Sequence, residues 1–411
     1  MRLLLAGGRV VDPSQGLDGV RDLLIEDGVV VALAPTIEVG EGTEVRDVAG
    51  LVVTPGWIDM HVHLREPGQE YKEDVASGTR AAAAGGFTAV ACMPNTLPVN
   101  DSRSVTEHIL AEARRHGFAR VYPVGAVSKG LEGKELAEFG DLVAAGAVAV
   151  SDDGRPVADG ELMRRALLYA QHFRIAVLQH AQDLSLSAGG VMHEGVWSTR
   201  LGLPGIPGAA EDVMVARDLL LVADTSGRYH VQHLSTARSL DFVREAKGRG
   251  LPVTCEVTPH HLLLTDEAVA TSGFSTDTKM NPPLRGERDR AALLAGLADG
   301  TIDAFASDHA PHHPDEKDVE FSVAPFGIIG LETSVGLCLD RLVGAGHLTL
   351  SRLVELFSTQ PARILGAPGG TLEPGSVADL TLLDLEARAT VRAAEFRSKA
   401  RNTPFEGWEL R

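Results

Sequence analysis

Hydrophobic positions change their spacing twice along the chain. Up to about Val53 they come in short runs, such as Arg21-Asp22-Leu23-Leu24-Ile25 and Val29-Val30-Val31-Ala32-Leu33, broken by turn pairs such as Asp27-Gly28. Short apolar runs between such turns predict a small β region. After Thr54-Pro55-Gly56, short apolar runs alternate with longer alanine-rich or leucine-rich stretches, the texture of βα units around a parallel sheet. One unit is clear: a helix over Val75 to Ala84, stopped by Gly85-Gly86, then a strand from Thr88 to Cys92. Further strands are expected at Trp57 to His63, Arg120 to Val127, Ala147 to Ser151, Ile175 to Gln179, Tyr229 to His233, Val253 to Val257 and Ala304 to Ser307. From about Gly370 the β texture returns, with a strand over Ala378 to Leu383 after the turn Pro374-Gly375.

These strands approach the eight of a (β/α)₈ TIM-type barrel, an α/β fold, placed over residues 54–367. The two β ends, residues 1–53 and 368–411, are expected to pack together as a small β-sandwich domain. A doubly wound open sheet is the alternative, but no glycine-rich dinucleotide loop or Walker loop follows the first strand.

Composition narrows the classes further. With 44% hydrophobic and 23% charged residues over 411 positions, the chain resembles an average soluble globular protein. Its net charge of −18, from 56 acidic and 38 basic residues, makes nucleic acid an unexpected partner. The three cysteines, Cys92, Cys255 and Cys338, form no C-x-x-C pair, which argues against a disulfide framework and fits a reducing cytoplasm. The apolar run in Met1 to Gly7 is too short for a signal peptide and no stretch reaches membrane-spanning length, so a cytoplasmic location without membrane contact is expected.

Candidate chemistry clusters at strand ends. Alternation along Ile58-Asp59-Met60-His61-Val62-His63-Leu64-Arg65 would point His61, His63 and Arg65 to one side, at the barrel end where active sites sit. Taken alone, the His-x-His pair reads equally well as metal ligands or as two hydrogen-bonded histidines. Recurrence changes that balance, because Asp152-Asp153, His180, His233 and Asp308 also stand at or just after the ends of apolar strands. Four histidines with two carboxylates suit two borderline divalent ions, such as zinc, better than calcium or magnesium. Such a pair acidifies a bridging water and polarises a carbonyl, so amide hydrolysis is the natural reaction. Lys129 reads as a solvated surface amine, and Cys92 and Cys255 as small buried thiols.

Pro55-Gly56-Trp57-Ile58-Asp59-Met60-His61-Val62-His63-Leu64-Arg65-Glu66-Pro67-Gly68 resembles the opening signature of the amidohydrolase superfamily, and specifically of the bacterial type I dihydroorotases. The likeness continues through Met93-Pro94-Asn95-Thr96, Ser151-Asp152-Asp153-Gly154, His230 to Thr236, Thr258-Pro259-His260-His261, Lys279 to Arg285 and Ser307 to His312. The resemblance implies one zinc on His61, His63 and Asp308, a second on His180 and His233, and Asp153 bridging them together with a hydroxide nucleophile. Only the resemblance prefers Asp153 over Asp152. Many superfamily members bridge their metals with a carbamylated lysine; Ala149 to Asp153 contains none, matching the aspartate-bridged type I group.

By the same likeness Asp308 doubles as a proton shuttle. Arg65, Asn95 and His312 would clamp a substrate carboxylate, with His63, Asn281 and the backbone of Phe326-Gly327 as further substrate contacts. For Asn95 and Asn281, a turn-forming role beside proline is an equally good reading. His260, His261, His309 and His313 are expected to make structural hydrogen bonds. The implied reaction is the reversible cyclisation of N-carbamoyl-L-aspartate to L-dihydroorotate in de novo pyrimidine synthesis. The alternatives are a hydantoinase-like or allantoinase-like cyclic amidohydrolase and an inactive scaffold for a carbamoyltransferase. A homodimer is implied, with room for a complex with aspartate carbamoyltransferase.

Overall fold

Eight strands, numbered here β1 to β8, form one parallel sheet curled into a nearly closed barrel. They are β1 (Trp57–Val62), β2 (Phe87–Cys92), β3 (Arg120–Gly125), β4 (Ala149–Ser151), β5 (Ala176–Gln179), β6 (Tyr229–Val231), β7 (Val253–Val257) and β8 (Ala304–Phe305), hydrogen-bonded in chain order. The structure is a computed structural model and describes residues 1–410. Each strand falls where an apolar run predicts one, because a parallel sheet covered on both faces needs apolar residues at nearly every position.

The two faces are packed differently. Ile58, Met60, Ala89, Ala91, Ala149, Ala176, Leu178 and Ala304 fill the barrel interior, where five alanines suit the narrow lumen. Trp57, Val62, Val90, Cys92, Val150, Val177 and Phe305 face outward and pack with helix residues such as Ala81, Ile109 and Leu167. Helix Val75–Ala84 starts at a capping box of Asp74 and Ser77, which satisfies two otherwise open backbone N–H groups.

No ladder joins β8 to β1, and the seam is closed by other means. Val62 and His309 form a parallel bridge, and the Ser307 N–H donates to the buried Asp59 carboxylate at 3.1 Å. Burial pushes Asp59 up to about 6, against the hydrogen bonds it accepts from Ser307 and His61.

A separate sheet joins the two ends of the chain. Its strand order is Leu380–Leu383, Val52–Pro55, Arg2–Asp12, Leu17–Glu26 and Val29–Ala34, with Glu44–Asp47 also paired to Arg2–Asp12. Asp27 and Gly28, at φ 47° and 80°, make the two-residue turn of its hairpin, which requires positive φ at both positions. The C-terminal segment then divides. Leu380–Leu383 stays in this sheet, whereas Ala389–Thr390 pairs with Glu409–Leu410, and Val391, Phe405 and Leu410 pack on Met280, Leu284 and Ile328 of the barrel loops. Among the described residues no helix is long and apolar enough to cross a membrane.

Trp57 anchors the outer layer: it is fully buried, stacks on Phe357 at 5.2 Å between ring centroids, and donates from Nε1 to Thr54 Oγ1 at 2.8 Å. Trp57→Ala should cost about 3–5 kcal/mol of stability, read as a lowered urea midpoint at unchanged slope. An unaltered midpoint would show that the stack contributes nothing.

Candidate metal centre and active site

The first metal-ligand candidates reach the barrel axis through a break in β1. Asp59 pairs with Val90 and Val62 with Cys92, so Met60 and His61 together stand opposite the single residue Ala91. This bulge lets two consecutive side chains face inward, Met60 into the lumen and His61 into the site above it. Unbroken alternation through Arg65 is therefore not what the structure uses. The strand ends at Val62, and Arg65 is aimed by a left-handed backbone at φ 62°. His233 and Asp308 also lie past their strands at φ 31° and 49°, conformations that non-glycine residues adopt at a cost of about 1–3 kcal/mol and that cluster at functional sites.

These turns converge on Asp153, just beyond β4. Its Oδ2 lies 3.3 Å from His61 Nε2 and 3.4 Å from His63 Nε2, while its Oδ1 lies 3.5 Å from His233 Nε2 and 3.6 Å from His180 Nδ1. Asp308 Oδ1 completes the first group at 3.3 Å from His63 Nε2 and 3.6 Å from His61 Nε2. Each carboxylate oxygen of Asp153 thus faces its own pair of imidazoles. His61 Nε2, Asp153 Oδ1 and His233 Nδ1 are buried without a hydrogen-bond partner. Ligands at about 2.0–2.1 Å from a tetrahedral zinc stand roughly 3.3 Å apart, close to the spacings seen here. Two overlapping groups, His61-His63-Asp308 and His61-Asp153-His233, are compact enough to hold metal ions, and the donor chemistry fits them.

The charges differ between the two imidazoles of the first group: burial, with Arg65 nearby, lowers the proton affinity of His63, whereas at His61 the carboxylates prevail. Burial opposes a charge on His61, yet Asp153, Asp308 and Glu256 raise its proton affinity well above the usual imidazole range. Burial likewise opposes the ionised form of Asp308, but His61, His63 and His233 hold it below the usual carboxylate range. Ionised carboxylates therefore favour positive charge at His61, between Asp153, Asp308 and Glu256.

Several residues that support these ligands escape a reading of strand ends. Glu256, on β7, lies 2.8 Å from His61 Nδ1 and 3.2 Å from His230 Nε2, and also accepts from the His233 N–H. A carboxylate behind a metal-facing imidazole orients the ring and raises its basicity. The signal was a lone glutamate inside the apolar run of β7, between Cys255 and Val257. Gln182 Oε1 similarly meets His180 Nε2 at 2.9 Å and accepts from Asn281 Nδ2 at 2.7 Å. Asp152 faces away and accepts from the Ser128 N–H, while Lys129 is an exposed amine paired with Glu135.

A cavity of about 230 Å³ opens beside Asp153. His63, Arg65, Asn95, His180, His233, Asn281, Asp308, His312, Phe326 and Gly327 all line it. Larger hollows of about 830 and 580 Å³ lie elsewhere, and neither contains a metal-capable group. Asn95 Oδ1 stands 2.8 Å from His63 Nδ1, so Asn95 orients a ligand as well as lining the cavity. Arg65 is buried and donates from Nε to the Pro311 carbonyl at 3.2 Å; among the described residues no carboxylate lies within ion-pair distance of it. Burial, with Arg65 and Lys317 nearby, pushes His312 down to about 3, leaving it neutral.

Of the four backbone polar groups of Phe326-Gly327, three are engaged within the protein. The Phe326 carbonyl lies 2.9 Å from His312 Nε2, the Gly327 N–H donates to the Lys279 carbonyl, and the Gly327 carbonyl accepts from Lys317 and Asn402. The Phe326 N–H is the one that remains. His261 bonds Thr258 and the Pro282 carbonyl, His309 pairs with Glu73, and His313 caps the short helix Pro314–Lys317, but the expectation of a structural hydrogen bond does not hold for His260 Nε2, which is buried without a partner among the described residues. Burial pushes Cys92 and Cys255 up to about 12, which keeps both thiols protonated and unreactive.

Glu256→Ala should weaken metal affinity about 10–100-fold while the protein stays folded, measured by metal retention against a competing chelator. Retention equal to that of the unaltered protein would remove Glu256 from the site.

Comparison with known proteins places these features in context. Residues 50–239 match the family model described as dihydro-orotase-like. The chain is 59% identical to a dihydroorotase of Anaeromyxobacter dehalogenans over 408 residues, covering 99% of this chain and 94% of that one. It is 56% identical to a dihydroorotase of Citrifermentans bemidjiense over 411 residues, covering 100% and 96%. Among solved structures, the L-hydantoinase (dihydropyrimidinase) of Arthrobacter aurescens superposes with a TM-score of 0.89 at 26% identity, covering 99% of this chain and 92% of that one.

Proposed function

Because the chain belongs to the dihydroorotase family of cyclic amidohydrolases, we propose that it interconverts N-carbamoyl-L-aspartate and L-dihydroorotate, the ring-closing step of de novo pyrimidine synthesis. The observation that carries the choice of substrate is Arg65, a buried guanidinium with no carboxylate partner of its own, lining the same cavity as the metal-ligand cluster. A buried charge left unpaired is costly, so the site favours a ligand that brings an anion to that point. Dihydroorotate carries a carboxylate on the ring, away from the scissile amide.

Two zinc ions, one among His61, His63 and Asp308, the other on His180 and His233, with Asp153 shared between them, would polarise the ring carbonyl and acidify the attacking water. The protein's own groups account for the rest. Asp308, held ionised, accepts the proton as the water oxygen bonds to the carbonyl carbon. It then delivers that proton to the ring nitrogen as the C–N bond breaks; ring closure runs the same path backwards. Arg65 holds the substrate carboxylate through paired N–H donors, with Asn95 and His312 beside it. Asn281, whose Nδ2 is committed to Gln182, offers its side-chain oxygen, and the Phe326 N–H has no partner among the described residues.

A hydantoin or dihydropyrimidine lacks that carboxylate and would leave Arg65 without a counter-charge. An inactive scaffold would have no need of six ligand positions that are all filled. Zinc-loaded protein should open dihydroorotate, and Asp308→Asn should lower kcat by about 10²–10⁴ at unchanged fold. Failure of the zinc-loaded protein to act on dihydroorotate overturns the assignment. Arg65→Met should raise KM for dihydroorotate by about 10–100-fold with metal content unchanged, a loss of about 1.5–3 kcal/mol from a charge-assisted contact. An unchanged KM would shift the reading to a carboxylate-free ring.

A further inference from the structure

The C-terminal segment that leaves the small sheet brings one side chain beneath the active-site cavity. Asn402 is 3% exposed. Its Nδ2 donates to the carbonyls of Ala310 at 3.1 Å and Gly327 at 3.0 Å, its Oδ1 accepts from the His312 N–H at 3.3 Å, and its own carbonyl accepts from the Ile329 N–H at 2.9 Å. A carboxamide has two N–H donors and one acceptor oxygen, so this side chain has both donors and its acceptor engaged. All of these bonds go to two loops, one carrying His312 and the other carrying Phe326-Gly327. Ala310, His312, Phe326 and Gly327 line the cavity, and Asn402 itself does not.

Gly327 is held from other sides too. Lys317 Nζ donates to its carbonyl at 3.0 Å, and its N–H donates to the Lys279 carbonyl at 2.9 Å. Its φ is 130°, and a Cβ there would stand 2.8 Å from the Ala310 Cβ. The two loops therefore approach each other more closely than a side chain at Gly327 would allow. A parallel bridge between His309 and Ile328, with the Ala310 N–H donating to the Ile328 carbonyl at 2.8 Å, joins them at one end, and Asn402 ties them further along, beside His312 and Gly327. None of its bonds reaches a candidate metal ligand.

We propose that Asn402 is a positioning residue for substrate binding: from the C-terminal segment it sets the separation between His312 and the Phe326-Gly327 backbone, and with it the fit of the ring and its carboxylate. The proposal rests on the dihydroorotate reading above. Removing the amide leaves the Ala310 carbonyl and the His312 N–H short of a partner and takes from the Gly327 carbonyl one of its two donors, Lys317 being the other, and the loop around His312 relaxes away to find new partners. The metal cluster, carried by the barrel strands, stays as it is. The effect thus falls on binding rather than on chemistry.

The test compares Asn402→Ala and the near-isosteric Asn402→Asp with the unaltered zinc-loaded enzyme. Asn402→Asp keeps the shape but replaces both N–H donors with an oxygen facing two carbonyls. Both variants are expected to retain zinc content and circular dichroism, to raise KM for dihydroorotate at least tenfold, and to keep kcat within about threefold. A residue that merely stabilised the fold would lower melting temperature and active fraction while leaving KM untouched. KM within twofold of the unaltered enzyme in a folded variant overturns the proposal, as does failure of both variants to fold, which would make Asn402 a scaffold residue. Loss of zinc in step with activity overturns it too. If the unaltered enzyme does not turn over dihydroorotate, the reaction assigned above fails and this proposal with it; turnover with unchanged KM in the variants overturns this proposal alone.

Discussion

Everything around the active site answers to one carboxylate. Asp153 sits at the mouth of the barrel with one oxygen toward His61 and His63 and the other toward His180 and His233. The four imidazoles stand 3.3–3.6 Å from this carboxylate, long for a charge-assisted hydrogen bond, and cations between them would offset the cost of burying these groups together. The scaffold must therefore hold ligands from several strands against both burial and mutual repulsion. A barrel does this because its strand ends lie on a ring, each pointing a different residue at one centre.

The cost of that convergence shows in the backbone and in the layer behind the ligands. Arg65, His233 and Asp308 adopt left-handed conformations where their strands turn outward into loops. Strain of this kind persists only when the surroundings hold it in place. Glu256 is part of such surroundings for His233, whose N–H donates to it, and with Gln232 it also reaches His61 Nδ1, leaving Nε2 to face the centre. The alanines of the lumen leave room below for this polar layer.

The substrate side of the site is built from different parts. The candidate metal ligands come from the ends of barrel strands, whereas Arg65, His312 and Phe326-Gly327 come from loops; the last two are tied together by lysines and by the C-terminal segment, and Arg65 joins them through the Pro311 carbonyl. Lys317 and Lys279 spend their amines on carbonyls of residues 321–327, which anchors the loop without placing a positive charge in the cavity. In the proposed reaction, hydrolytic chemistry and ring recognition would rest on separate structural supports, so that a loop could change what is bound while the barrel keeps the chemistry.

The barrel and most of the candidate ligands could be read from the amino-acid sequence. Strands buried on both faces must be apolar throughout, so eight such runs stood out, and a histidine or aspartate just past an apolar run is conspicuous: His61, His63, the Asp152-Asp153 pair, His180, His233 and Asp308 were legible as candidates for that reason, and the structure brings His61, His63, Asp153, His180, His233 and Asp308 together. What the chain does not spell out is how side chains far apart in sequence meet. The bulge that turns His61 inward depends on pairing with β2, Glu256 acts on a ring 195 residues earlier, and Asn402 works across 75 and 92 residues on Gly327 and Ala310. Local pattern records which residues are apolar or polar. Only the closed tertiary structure decides which buried polar atoms must satisfy one another, because that requirement exists only once water has been excluded from between them.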